Sequence, residues 1–244
     1  MFFLGVLLTS VIAGGVAAVS GFGIGSLLTP LLAARYGTKL AVAIASIPHL
    51  VATAARFLGL RRQIDRRIFL NFGILSAAGG LLGALLNAKA NNPILAIVFG
   101  CLLVFAGVSG LGGFVDRMRF GRRMARFAGA LSGFFGGLVG NQGGIRSAAL
   151  LGFDIHKEAL VATATAIALI VDGARMPVYL AVETRRILDA WPILAVAITG
   201  VLLGTFWGVR FLRRIPDGIF RKFLSALILA LGIYMLVHGY RMRG

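Results

Sequence analysis

Long apolar runs separated by short polar stretches make up almost the whole chain. Runs of membrane length extend from Phe2 to Tyr36, Leu40 to Leu60, Ile68 to Leu86, Pro93 to Phe114, Phe127 to Phe153, Ala159 to Val182, Leu188 to Phe211 and Ile219 to Tyr240. A helix needs about 20 apolar residues to cross a hydrocarbon core of about 30 Å. The pattern therefore predicts an all-α polytopic membrane protein of eight segments, four in each half, with the lipid bilayer as its surroundings. The first and fifth runs are interrupted, one by Gly21-Phe22-Gly23-Ile24-Gly25-Ser26 and the other by Gly140-Asn141-Gln142-Gly143-Gly144, with Arg146 and Ser147 close behind. Hydrocarbon offers backbone N–H and C=O groups no partners, so non-helical backbone at membrane depth survives only where protein, water or a bound ion satisfies it. Glycine lets the chain leave the helix and lets a ligand approach the backbone. Two broken segments at matching positions of two halves point to the binding site of a transporter.

The two interruptions lie 119 residues apart, and the same offset relates much of the rest. Gly25 aligns with Gly144, Leu31-Leu32 with Leu150-Leu151, Val42-Ala43 with Val161-Ala162, Ser46 with Thr165, Ala55-Arg56 with Ala174-Arg175, and Arg66-Arg67-Ile68 with Arg185-Arg186-Ile187. Paired breaks, paired intramembrane arginines and paired Arg-Arg-Ile at one ungapped offset indicate duplication. The expected organisation is a first repeat over 1–118 and a second over 119–244, forming one membrane domain.

Basic residues set the orientation. Residues 61–67 carry four Arg, 116–126 carry five, and 210–222 carry four Arg and one Lys, so all three loops are expected on the cytoplasmic side of a multi-pass plasma-membrane protein. Three full crossings would separate the second loop from the third, which an odd count forbids. The conflict disappears if the broken run 127–153 is a re-entrant hairpin. By the repeat, 2–36 is then a hairpin entering from the other side, and the two repeats are inverted. Glu183 and Asp189 are expected to offset Arg185-Arg186 on the outer side. Trp191 and Trp207, about 24 Å apart along a helix, mark opposite interfaces of one span. Gly79-x3-Gly83 and Gly200-x3-Gly204-x3-Gly208 predict faces for close helix contact.

Composition agrees with this picture: 59% of the 244 residues are hydrophobic and only 14% charged, and the mean hydropathy is +0.92. The formal charge of +17 sits in short loops without aromatic interleaving, so no nucleic-acid partner is expected. Met1 to Ser20 carries no Lys or Arg and is read as part of the mature fold. Cys101, the one cysteine, lies within an apolar run, where it reads as a packing residue, and supports neither a disulfide nor a thiolate metal cluster. No phosphate-binding loop is present, and no cofactor is expected.

Ionisable side chains inside spans are costly and point to function. His49, Arg56, Arg146, Asp172 and Arg175 are such residues. Arg56 and Arg175 lie within snorkelling reach of a span end, so an interfacial role and a site role both stand open. Asp172 and Arg175 share a helical face and form either a mutual ion pair or part of a site. His49, near Ser46 and Thr53 on one face, is either a packing residue, a hydrogen-bond donor to a substrate oxygen or a proton carrier. Arg146 falls on the first turn after the second break, where the helix dipole disfavours a cation unless an anion also binds. Asn141 and Gln142 supply uncharged donors. The candidate substrate-binding set is Gly21, Phe22, Gly23, Gly25, Ser26, Ser46, His49, Arg56, Gly140, Asn141, Gln142, Gly143, Gly144, Arg146, Ser147, Thr165, Asp172 and Arg175.

The duplicated four-helix layout and Gly21-Phe22-Gly23-Ile24-Gly25, followed by Pro30-Leu31-Leu32, resemble the TauE/SafE sulfite-exporter family of membrane permeases. The resemblance covers essentially the whole chain. It implies transport, usually outward, of small sulfur-containing anions such as sulfite or organosulfonates. Read with the breaks, it leads to a secondary transporter with alternating access around a midplane site. An anion channel stands as the nearest alternative, and an intramembrane enzyme as a more distant one, since neither His49 nor Cys101 has a catalytic motif around it. Whether the chain forms a homo-oligomer is left open by the sequence.

Overall fold

A computed structural model describes residues 1–89, 92–113, 122–139, 146, 150, 157–212 and 217–241. The elements are α1 (Phe2–Ser20), α2 (Ile24–Tyr36), α3 (Thr38–Leu60), α4 (Arg66–Ile68), α5 (Ile74–Lys89), α6 (Asn92–Leu111), α7 (Arg122–Val139), α8 (Lys157–Asp189), α9 (Trp191–Leu212) and α10 (Asp217–Arg241), with no strand among the described residues. A 3₁₀ turn at Arg61–Gln63 follows α3, and a π turn at Phe69–Gly73 joins α4 to α5. Four stretches among the described residues are long and apolar enough to cross a membrane: Phe2–Val19, Thr38–Gln63, Arg66–Asn87 and Val161–Asp189. Helices α6, α9 and α10 follow the apolar runs that begin at Pro93, Leu188 and Ile219.

The chain leaves the helix where the first glycine cluster stands. Gly21 takes φ 77° and Gly23 takes φ 135°, both in the region that side chains resist. The Gly21 N–H bonds to the Ala17 carbonyl and closes α1, and α2 starts at Ile24. With 13 residues α2 is about 20 Å long, too short to span. Its residues from Ile24 to Pro30 are all buried, so protein rather than lipid surrounds this short helix.

Helices α3 and α8 form the centre and run antiparallel. Near one end Lys39 Nζ lies 3.8 Å from Glu183 Oε1, in the middle His49 meets Asp172, and just past α3 the Asp65 N–H donates to Thr163 Oγ1 at 2.9 Å. Around them α1 packs on α9, α7 on α5 and α6 on α10. These partnerships map onto one another under the 119-residue offset, which carries α1 onto α7 and the helical stretch 66–89 onto the region of α9. Glycine allows two of the crossings. Gly79 and Gly83 bring α5 against the backbone of Ala130 and Phe134 on α7, while Gly200 and Gly204 bring α9 against Leu7 and Val11 on α1. Outward-facing Leu82, Leu85, Phe206, Trp191 and Trp207 are exposed, as a lipid-facing surface requires.

Two sequence expectations change. The polar stretch 183–189 continues α8 to Asp189 instead of forming a loop. It contains neither Gly nor Pro, Arg186 pairs with Glu183 one turn back at 3.4 Å, and Thr184 bonds to the Leu180 carbonyl. Cys101 is exposed on α6 rather than packed in the core.

Candidate functional site

The first break is built from residues of three helices. The Ala17 carbonyl, in the last turn of α1, accepts from the Gly21 N–H at 3.1 Å and also from Arg56 Nη1 of α3. A cation at the carbonyl end of a helix is favourable, because the last carbonyls carry the negative end of the dipole. Arg56 Nη2 is 3.1 Å from Thr53 Oγ1, one turn earlier on the same helix. Its Nε, also buried, has no protein partner among the described residues. Gly25 and buried Ser26 form the first turn of α2, and half-buried Phe22 packs against the main core. Gly21 faces Ala164 of α8, so the break rests on that central helix.

The end of α7 is held more heavily. Arg175 Nη1 donates to the Gly136 carbonyl, Tyr179 Oη to the Gly137 carbonyl, and Asn87 Nδ2 of α5 to the Leu138 carbonyl at 2.8 Å. Buried side chains thus donate to three successive carbonyls in the last described turn of α7. Arg175 is in turn fixed by Asp172, with Nη2 at 2.6 Å and Nε at 2.9 Å from Oδ1. The other carboxylate oxygen, Oδ2, is 2.6 Å from His49 Nδ1 across the α3–α8 interface.

Arg146 is buried in a helical conformation, close enough to Asp172, Arg56 and Arg175 to interact with each of their charges. Among the described residues this cluster sets three guanidinium groups against one carboxylate, all at least nine-tenths buried. Ser46 and Thr165, related by the repeat, bond back to Val42 and Val161 carbonyls at 2.7 and 2.8 Å, so their hydroxyls serve their own helices here. Of the other candidates, Gly140, Asn141, Gln142, Gly143, Gly144 and Ser147 lie outside the described residues.

Sequence reading missed Tyr179 and Asn87, and named Thr53 only as a neighbour of His49. A Tyr one turn beyond Arg175 was the available signal for Tyr179; nothing local in the sequence pairs Asn87 with Leu138.

The family described as sulfite exporter TauE/SafE matches residues 6–235. The chain belongs to the TauE/SafE family. No curated protein matches this TauE/SafE chain, and no solved structure does. Membership makes it a multi-pass membrane protein of a family that exports sulfite and related sulfur anions, in keeping with its exposed apolar helix faces.

Proposed function

We propose that the protein is a secondary transporter of small sulfur-containing anions, sulfite or organosulfonates, working by alternating access around a site where the two broken segments meet. The observation that carries this reading is buried Arg56. Its hydrogen-bond partners are neutral, the Ala17 carbonyl and Thr53 Oγ1, Arg146 lies within electrostatic range, and Asp172, already paired with Arg175, is the one carboxylate acting on all three guanidinium groups. Guanidinium charges gathered in a protein interior are unfavourable without counter-charge, and an oxyanion that accepts parallel N–H donors supplies it.

In this account Gly21, Phe22, Gly23, Gly25, Ser26 and Arg56 line one side of the site. Gly140 to Gly144, Arg146 and Ser147 line the other. The repeats, 1–118 and 119–244, are inverted. Supporting the inversion, α3 and the first part of α8 are related by the offset and pack antiparallel. The chain sits in the plasma membrane with loops 61–67, 116–126 and 210–222 cytoplasmic. The test is flux of sulfite, thiosulfate and methanesulfonate into proteoliposomes holding the purified protein. Saturable flux of at least one is expected, and none above protein-free vesicles would refute the reading.

A further inference from the structure

The arginine caps are duplicated, but the groups behind them are not. Arg175 bonds to the carbonyl of Gly136, and Arg56 bonds to that of Ala17, 39 residues upstream in both cases. Behind Arg56 stands Thr53, and at the offset position behind Arg175 stands Asp172. A hydroxyl is therefore enough to brace such a cap, and the carboxylate at 172 exceeds what the cap requires. Facing that carboxylate is His49, whose repeat counterpart is Ala168. At both positions the residue differs from its counterpart 119 residues away, and the two side chains have come together at 2.6 Å between the central helices α3 and α8. A buried contact made at two unmatched positions, one the side-chain type that titrates near neutral pH and the other a carboxylate, calls for a chemical reason.

We infer that the His49–Asp172 pair is a proton-binding site coupled to anion occupancy, so that one proton is taken up with each anion. The inference rests on the anion reading above. Groups that act on the His49 proton are Asp172 and Arg175 of α8 and Arg56 of α3, while Arg146 acts on Asp172. Asp172 attracts the proton and the guanidinium groups repel it. An anion arriving among Arg56, Arg146 and Arg175 offsets that repulsion, so anion and proton each favour the other, and linkage makes the effect reciprocal. The anion and its proton then cross together, in whichever direction their summed gradients dictate. The proton sits on the imidazole, with Asp172 accepting from Nδ1; no bond of the anion is broken.

The test is calorimetric titration of purified wild-type protein with thiosulfate or methanesulfonate, neither of which titrates near neutral pH, in buffers of different ionisation enthalpy. The expected result is uptake of about one proton per anion, with the apparent Kd weakening about tenfold per pH unit on the alkaline side. His49→Asn keeps an amide donor toward Asp172 but cannot take the proton. It is expected to bind at the weak alkaline affinity of the wild type at every pH. Wild-type binding without proton uptake overturns the inference and leaves the anion reading intact, whereas absence of binding by any anion overturns the anion reading itself. A His49→Asn protein that keeps the wild-type pH slope, or that folds and binds at no pH, also overturns the inference. The wild-type proton count decides the matter even if that variant fails to fold.

Discussion

Arg56 and Arg175, 119 residues apart, make the same contact, each donating to the carbonyl 39 residues before it, on α1 and on α7. Arg56 neutralises the negative end of α1, which stops inside the protein, and so fixes the edge of the first break. Snorkelling to an interface was the competing account of both. Their burial, 6% exposed for Arg56 and 1% for Arg175, rules it out.

Removing the carboxylate behind Arg175 tests this arrangement. Asp172→Asn leaves Arg175 without its buried counter-charge and is expected to cost about 3–5 kcal/mol, the range for breaking a buried pair from one side. Asp172→Asn combined with Arg175→Gln removes both charges and should regain part of the loss. Thermal unfolding in detergent measures both, and a double variant less stable than either single one would show that Arg175 matters through its cap on Gly136 more than through its charge.

The first break depends on backbone that glycine alone adopts easily. Gly23→Ala would place a Cβ 2.7 Å from Val16 Cγ1 at φ 135°. The expected outcome is loss of well-folded protein, read as a fall in the monodisperse peak of a fluorescent fusion on size-exclusion chromatography. Gly5→Ala, where a Cβ meets nothing within 4 Å, is the control and should leave the peak in place.

Tyr179→Phe removes the buried hydrogen bond that Tyr179 Oη donates to the Gly137 carbonyl. A loss of about 1–3 kcal/mol is expected, again by thermal unfolding. An unchanged melting temperature would mean that water replaces the hydroxyl, and that the end of α7 is wetter than its buried neighbours indicate.

Much of this fold was legible in the sequence because hydropathy and glycine placement act locally. The apolar runs mark α3, α6 and α9, and Gly21 and Gly23 mark the end of α1, because the physical need for positive φ is written in the residue itself. The pairing of Asp172 with Arg175 was legible for the same reason, since three residues on a helix is one turn. His49 with Asp172, Asn87 with Leu138 and Arg56 with Ala17 were not. Those contacts span 123, 51 and 39 residues, and a one-dimensional pattern holds no distance between helices. The end of α8 was misplaced because charged residues near a span end read as a loop, although Glu183 and Arg186 are good helix formers that pair across one turn.

Topology gives a separate prediction. Single-cysteine labelling in a Cys101→Ala background should find both termini accessible from outside and positions in 61–67 accessible only from the cytoplasm. An N-terminus labelled only from the cytoplasm would contradict the inverted arrangement.

The central claim is an oxyanion site in which Arg146 supplies charge beside Arg56. The most direct measurement is sulfite and thiosulfate binding to purified Arg146→Gln, compared with wild type of equal thermal stability. The account predicts loss of binding in the variant, and for Arg146→Lys, which keeps the charge but loses the planar fork, weaker oxyanion binding with less change toward a halide. Undiminished oxyanion affinity in well-folded Arg146→Gln would contradict it.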